Sequence, residues 1–490
     1  MYEQLVLQDF GVTCFISIGY GFFAESCSLF GRSIAVKLSA SQIVAGSVPC
    51  CQESGCAALT PGFLWAASPQ AFHFLRTTES RRLHIRRFSS EYHFAQSHLS
   101  GTVNTLSASN PHSAKPASVT ERIRVTLVIP TLDQSGAERQ LSLLASGLPA
   151  DQFDVDVVAL NRGGFFADRL REHQIPVTVL NKRFRFDPFT WFHLRRHIAR
   201  RRPHLVQSWL FAANTYVRAP GVCPDGTQVI VSERCVDSWK QGWQLALDRR
   251  LRSNMVLMTA NSESVAQFYR DTVGVAADRI RVIPNGLPAT STENAADLRQ
   301  ELGLDPDAKL IGFAGRLASQ KRLEDLIWGF HLLQQVIENT YLVLIGDGPE
   351  RDALAGFSES SRSREKVFFC GHRPDAASVI SQLDLFCLTS GFEGMSNSLM
   401  EAMAVGVPCL VSDISSNREL IKHEQTGWLF PVGDSVALCR QATKILQDPE
   451  SARAPAEAAR KRMTQKHSVE SMVQRHIDVY RELVPASESV

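Results

Sequence analysis

"RIRVTLVIPTLDQSGAERQLSLLASGL", residues 122–148, decides the fold class. Its first third is a near-continuous apolar run, the pattern of a strand buried on both faces of a parallel sheet. "TLDQSG" follows as a loop. Leu141, Leu144 and Leu148 then recur along one face of a helix. A buried strand, a glycine turn and an amphipathic helix form the repeating unit of an α/β sheet.

The unit recurs downstream. "FDVDVVAL", "IPVTVL", "HLVQSWL", "TQVIVSE", "NMVLMTAN" and "RIRVIPNG" read as further strands, with helical stretches such as "FFADRLREHQ" between them. A second series starts near residue 308 with "KLIGFAG", "TYLVLIGDG", "EKVFFCG", "LDLFCLT" and "VPCLVSD". "PNGLPATSTENAADLR" between the series is rich in turn formers and reads as a linker. Two doubly wound sheets would each offer a crevice at the carboxyl ends of their strands, where ligands of such sheets bind.

Residues 1–120 follow no such grammar. They contain the basic stretch "RTTESRRLHIRRFSSEYH" and end in the polar tract "SGTVNTLSASNPHSAKPASVTER", a flexible linker by composition. They read either as an irregular, poorly ordered appendage or as upstream sequence translated from an early start codon, and no catalytic role is assigned to them. The expected divisions are this extension over 1–120, a Rossmann-like domain over 121–286, a second over 287–465, and a terminal segment over 466–490. The last, "HSVESMVQRHIDVYRELV", has helical spacing.

Bulk properties exclude several classes. The 490 residues carry a formal net charge of +2, so overall charge does not argue for nucleic acid. The eleven cysteines include no C-x2-C pair, which speaks against a structural metal site. Cys370, Cys387 and Cys409 lie in apolar runs and read as small buried hydrophobes. A reducing, cytoplasmic compartment fits this usage. No apolar run reaches transmembrane length, and the start, with Glu3 and Asp9, lacks a signal peptide's basic region.

Three loops carry chemistry. Gly136, between the first strand and its helix, would let backbone N–H groups approach an anion, or it is a tight turn and nothing more. Arg316 and Lys321 follow "KLIGFAG" closely. Two cations there suit a diphosphate, while surface charge on a loop is the equal alternative. The third is "SGFEGMSNSLMEAMAVGVP", residues 390–408. Gly394 to Ser398 precede the helix "LMEAMAVG", whose positive end would face a ligand. Ser398-x-x-Glu401 also matches a capping box, which would turn Glu401 back on its own helix. Glu393 lies before the helix, where a cap does not account for it.

In order along the chain stand "SGAE" at 135–138, "VIPNG" at 282–286, "GRLASQKR" at 315–322, "IGDGPE" at 345–350 and the E-x7-E stretch from Glu393 to Glu401. With them, residues from about 122 onward resemble the retaining glycosyltransferases of family 4, which have the GT-B fold. The resemblance implies an acceptor domain first, a nucleotide-sugar donor domain second, and a terminal helix crossing back. It implies that Arg316 and Lys321 bind the donor diphosphate, that Glu393 contacts the transferred sugar and that Glu401 contacts the ribose. Gly136, Gly315 and the stretch Gly394, Met395, Ser396, Asn397, Ser398 and Leu399 would line the donor. Side-chain cations would replace a metal, so no metal or cofactor is expected; "DPD" at 305–307 precedes a strand and faces away from the cleft.

Two departures stand out. The family often reads W-x-x-H after the fourth strand, but here "QSWLFAAN" places Ala212 at the histidine. Trp209 and Asn214 are the remaining candidates for the sugar or acceptor side. Arg322 replaces a frequent glycine.

The basic run "HLRRHIARRRPH", residues 193–204, has Leu194 and Ile198 as an apolar side. It is either a solvated helix face or a peripheral contact with anionic lipid on the inner face of the plasma membrane. Its arginines lack interleaved aromatics for nucleic acid. The expected function is therefore transfer of a sugar from a nucleotide-sugar to a saccharide or lipid-linked acceptor. The alternative is a catalytically silent nucleotide-sugar-binding scaffold. A nicotinamide dehydrogenase is excluded by the absence of G-x-G-x-x-G after the first strand.

Overall fold

The computed structural model describes residues 121–289 and 296–485, and the backbone of four strands within residues 4–38. Those four, Gln4–Asp9, Val12–Gly19, Phe22–Leu29 and Arg32–Leu38, form an antiparallel meander. The rest of the 1–120 extension, including its polar tract, lies outside the described residues, as does 290–295 of the expected linker.

The first of two parallel sheets has seven strands. Their spatial order is Ile280–Val282, Leu257–Ala260, Gln228–Glu233, Leu205–Trp209, Ile123–Thr131, Phe153–Arg162 and Val177–Val179. The chain starts in the middle, winds to one edge, then returns to build the other. The order reverses between Ile123–Thr131 and Leu205–Trp209, so the loops leaving these two strands diverge and open a crevice.

The second sheet has six strands, ordered Val367–Gly371, Thr340–Ile345, Lys309–Ala314, Leu385–Leu388, Cys409–Ser412 and Trp428–Phe430. Its reversal lies between Lys309–Ala314 and Leu385–Leu388. The loops that leave there are 315–322 and 389–396, which hold Arg316, Lys321 and Glu393. The topology thus places the predicted cations and the loop acid on the two sides of one crevice. The architecture is GT-B.

Helices cover both faces of each sheet and close separate cores. Phe313, Phe330, Phe386 and Phe430 are fully buried in the second. Helix Val469–Leu483 inserts Met472, Val473, Ile477 and Tyr480 into the first, with Val125, Leu127 and Leu144. The Tyr480 hydroxyl donates to Gln207 Oε1 in the middle of the first sheet. The chain crosses between domains twice at one place. The Leu287 N–H donates to the His467 carbonyl at 2.7 Å. A Cβ at Gly286 would lie 2.9 Å from the Val469 Cα, so only glycine fits where the two crossings touch.

The basic run belongs to helix Pro188–Arg201, capped by Asp187. Leu194 and Ile198 are fully buried in the first domain's core. They are therefore not the apolar side of a lipid contact: in a globular helix the apolar stripe is the one taken by the core. Among the described residues, no helix is long and apolar enough to cross a membrane.

Candidate active site

Arg316 follows strand Lys309–Ala314 on a loop fixed by backbone contacts. The Leu317 N–H donates to the Asp347 carbonyl, and the Leu317 carbonyl accepts from Glu350 N–H. A Cβ at Gly346 would lie 2.0 Å from the Gly315 carbonyl oxygen, and one at Gly348 would lie 2.2 Å from that of Leu317. The glycines of "IGDGPE" therefore exist to let this loop lie flat against them. Arg316 is exposed and, among the described residues, makes no ion pair.

Lys321 ends a short turn, Ser319–Lys321, and its Nζ lies 2.5 Å from Glu393 Oε1. Both side chains are nearly buried. Glu393 also accepts from the Ser390 hydroxyl at 2.7 Å and Gln320 Nε2 at 3.3 Å. The loops are stitched together by Gly391 N–H to the Gln320 carbonyl, 2.9 Å, and Thr389 Oγ1 to the Lys321 carbonyl, 2.7 Å. Arg322 has φ +49°, in the left-handed region. That accounts for the family's glycine here: arginine adopts the same turn at some steric cost.

Helix Asn397–Val405 starts earlier than its sequence suggests. Ser396 is its N-cap, accepting from Leu399 N–H at 3.4 Å, and Ser398 lies inside the first turn. The capping box is absent. Glu401 instead pairs with Arg139 of the first domain. Met395 and Leu399 are buried.

The first domain meets this helix start directly. Asn397 Nδ2 donates to the Gly136 carbonyl at 3.2 Å, and its Oδ1 accepts from Asn285 Nδ2 at 2.7 Å and Gln140 Nε2 at 3.3 Å. Gln140 also bonds both backbone groups of Gly286. The Val236 N–H donates to the Glu393 carbonyl at 3.1 Å, beside a bridge between Cys235 and Gly394. Loops from both domains thus enclose Glu393. A cavity of about 220 Å³ lies against it, lined by Val236, Ser238, Gly391, Phe392 and Ile414 among others. Ligand pockets commonly run from about 300 Å³ upward, so this space suits one part of a nucleotide-sugar.

Trp209 and Asn214 present no surface to this cleft. Trp209 is fully buried, stacked on His476 with ring centroids 6.5 Å apart. Asn214 is fully buried and donates to Glu233 Oε1 at 2.9 Å. Ala212, between them, lies in helix Leu210–Val217.

Sequence reading passed over Arg139, Gln140, Arg234 and Asn285. The first two lie four and five residues into the helix that starts at Gly136, just after "SGAE", and Asn285 is inside "VIPNG", so position next to a motif was the available signal. Arg234 follows strand Gln228–Glu233. Its guanidinium lies 4.6 Å over the Trp209 ring and donates to Asn285 Oδ1. Burial without a carboxylate pushes its pKa down to about 9.

Beside the cleft lies a buried charge network. Lys240 Nζ is 2.9 Å from both Asp237 and Asp248 and 2.6 Å from the Tyr269 hydroxyl; Arg218 pairs with Asp248 at 2.6 Å. Burial works against the Lys240 ammonium, but Glu233, Asp237 and Asp248 outweigh it and keep it charged. Burial pushes the Glu233 carboxyl up to about 7.

Sequence models of two families match the chain in tandem. "Glycosyltransferase Family 4" covers residues 134–291, and "Glycosyl transferases group 1" covers 294–462. The N-acetyl-alpha-D-glucosaminyl L-malate synthase of Bacillus anthracis is 29% identical over 38% of this chain, a stretch spanning 49% of that enzyme. The UDP-Gal:alpha-D-GlcNAc-diphosphoundecaprenol alpha-1,3-galactosyltransferase of Escherichia coli is 23% identical over 61% of this chain and 82% of its own length. The first of these matches spans only about half of its relative. The structure of HepE from Anabaena in complex with UDP and glucose superposes with a TM-score of 0.66, covering 74% of this chain at 22% identity. With the two models matching in the order and at the positions of the two sheets, the chain belongs to the family 4, group 1 glycosyltransferases.

Proposed function

We propose that this protein moves a sugar from a nucleoside-diphosphate sugar to a saccharide or lipid-linked acceptor, with retention and without a metal, in polysaccharide or glycolipid assembly. The observation that carries this is the Lys321–Glu393 pair at the switch point of the second sheet, with Arg316, which has no ion-pair partner among the described residues, on the same loop as Lys321. Arg316 and Lys321 would supply positive charge where a diphosphate leaves. Glu393 is enclosed by both domains next to a cavity and can accept hydrogen bonds from sugar hydroxyls.

The chemistry needs no carboxylate nucleophile. The bond between the anomeric carbon and the diphosphate breaks, and its electron pair leaves on the phosphate oxygen. The acceptor oxygen bonds the same carbon from the same face, and its proton passes to the departing phosphate. Positioning of donor and acceptor then carries much of the rate.

The test is release of nucleoside diphosphate from a panel of sugar nucleotides with varied acceptors, with and without EDTA. The UDP held by HepE is the reason to start with uridine donors. Turnover that survives EDTA, with a product of unchanged anomeric configuration by NMR, is the expected result. Ala212 in place of the family's histidine favours the scaffold reading, and the absence of turnover with every donor would decide for it.

A further inference from the structure

The helix that buries Leu194 and Ile198 leaves a different apolar surface in solvent. Phe184, Phe186, Phe189 and Phe192 are 67%, 65%, 71% and 52% exposed. Four phenylalanines in nine residues, each more than half exposed, are out of place on a surface that meets only water. They do not cluster against one another: Phe186 reaches Trp243, with centroids 6.0 Å apart, and no ring contact joins the four.

Charge surrounds them. Arg183 and Arg185 alternate with the first two rings, and both are exposed. On the helix, Phe189, Phe192, Arg196 and Arg200 follow one another at spacings of three or four, so they share a face. The face is aromatic at its amino end and basic at its carboxyl end. Arg201 is neutralised by Asp154 at 2.5 Å and Asp156 at 3.1 Å. Arg183, Arg185, Arg196 and Arg200 have no carboxylate partner among the described residues.

We infer that residues 183–200 form a membrane-docking face that inserts Phe184, Phe186, Phe189 and Phe192 among the lipids of an anionic bilayer while the arginines bind its headgroup phosphates. Aromatic side chains beside arginines that lack a carboxylate partner among the described residues match the layered chemistry of a bilayer interface. The charge fixes the kind of bilayer, because neutral headgroups would not repay an uncompensated arginine row. A nucleic acid is the other polyanion to consider, but proteins that stack bases do so in grooves, and rings this exposed protrude.

The face is continuous with the cleft. Trp243, against Phe186, lies at the start of helix Gly242–Leu251. The loop before it carries Trp239, half exposed, and then Ser238 and Val236, which line the cavity at Glu393. Given the transferase reading above, a membrane held against this face would bring a lipid-linked acceptor to that side of the cleft. The docking itself does not depend on that reading.

The test is cosedimentation of the full chain with vesicles of phosphatidylcholine alone and with phosphatidylglycerol added. Binding only to the anionic vesicles, reversed by high salt, is expected. The double substitution Phe184→Ser with Phe189→Ser should lower the bound fraction at least tenfold, with an unchanged thermal midpoint and unchanged donor turnover on a soluble acceptor. Arg196→Glu with Arg200→Glu should do the same through charge. The inference is overturned if the parent ignores anionic vesicles or if the phenylalanine variant sediments like the parent. Tight binding to a single-stranded oligonucleotide, lost in the same variant while vesicles are ignored, would overturn it in favour of nucleic acid.

Discussion

Lys321 and Glu393, seventy-two positions apart, are each other's counterion: Nζ lies 2.5 Å from Oε1, and neither has another charged partner among the described residues. The pair satisfies both charges within the protein. On the proposed function, a donor diphosphate would offer Lys321 a stronger partner and would release Glu393 to accept from the sugar. Binding the phosphate and presenting the acid to the sugar are then one event.

Removing either residue should separate the two roles. Lys321→Ala deletes a charge-assisted hydrogen bond worth about 1.5–3 kcal/mol, so nucleoside diphosphate affinity should fall by roughly 10- to 150-fold. Glu393→Ala should abolish transfer while leaving that affinity unchanged or somewhat tighter, since Lys321 no longer leaves a partner. Titration calorimetry with the nucleoside diphosphate measures both. If Glu393→Ala loses nucleotide binding as well, Glu393 does not act on the sugar.

Arg139 and Glu401 pair across the domains, and the same carboxylate is the one proposed for the ribose. The ribose must then displace Arg139. Arg139→Ala should tighten nucleoside diphosphate binding by a few-fold, because the ribose no longer has to displace a guanidinium from the buried Glu401 carboxylate. Glu401→Ala should weaken it by about tenfold or more. Opposite signs are the signature; if both substitutions weaken binding alike, Arg139 is itself part of the nucleotide site.

These pairs show where sequence reading stops. The strands were legible because parallel strands buried on both faces must be apolar throughout. The edge strand Trp428–Phe430, three residues long, gives no such run. Arg316, Lys321 and Glu393 were legible as loop residues at strand ends, because strand order carries those ends to one crevice. Arg139 and Glu401 lie 262 positions apart, and nothing local in either segment encodes their contact. Ser396 and Ser398 can both cap a helix, and only the backbone shows which does. Leu194 and Ile198 stand out in the sequence as an apolar side, but periodicity reveals a stripe and not what covers it, which here is the first domain's core.

Glu233 makes a prediction about pH. Its carboxyl is raised from the usual 4.5 to about 7 by burial, so between these values the folded protein holds a proton that the unfolded chain has released. Folding stability from this group is complete below about pH 4.5 and declines as pH rises to about 7, by something on the order of 2–3 kcal/mol. His467 and His476 act oppositely: burial lowers both to about 4, so their contribution is lost as pH falls from about 6.5 toward 4. The readout is therefore the difference between parent and Glu233→Gln, not the parent's own profile. Urea unfolding should show the variant gaining on the parent by that amount between pH 5 and pH 8. A constant difference would mean that Glu233 titrates normally.

Gly394 tests whether the closed arrangement is the working one. A Cβ there would lie 2.0 Å from the Arg234 carbonyl oxygen and 2.6 Å from Asn261 Oδ1, and the backbone oxygen has nowhere to move. Gly394 does not have a positive φ, so alanine suits its backbone and each domain's core is untouched. Gly394→Ala should therefore fold with a thermal midpoint near the parent's. It should lose the Cys235–Gly394 bridge and the Val236 N–H bond to the Glu393 carbonyl, which join the two domains beside Glu393. X-ray scattering should give a larger radius of gyration than the parent, and turnover should fall by about 100-fold or more, the scale on which misplacing reacting groups by about 1 Å acts. A variant that is as compact and as active as the parent would show that catalysis uses a more open cleft, with Glu393 reached by the donor without help from the first domain's loop.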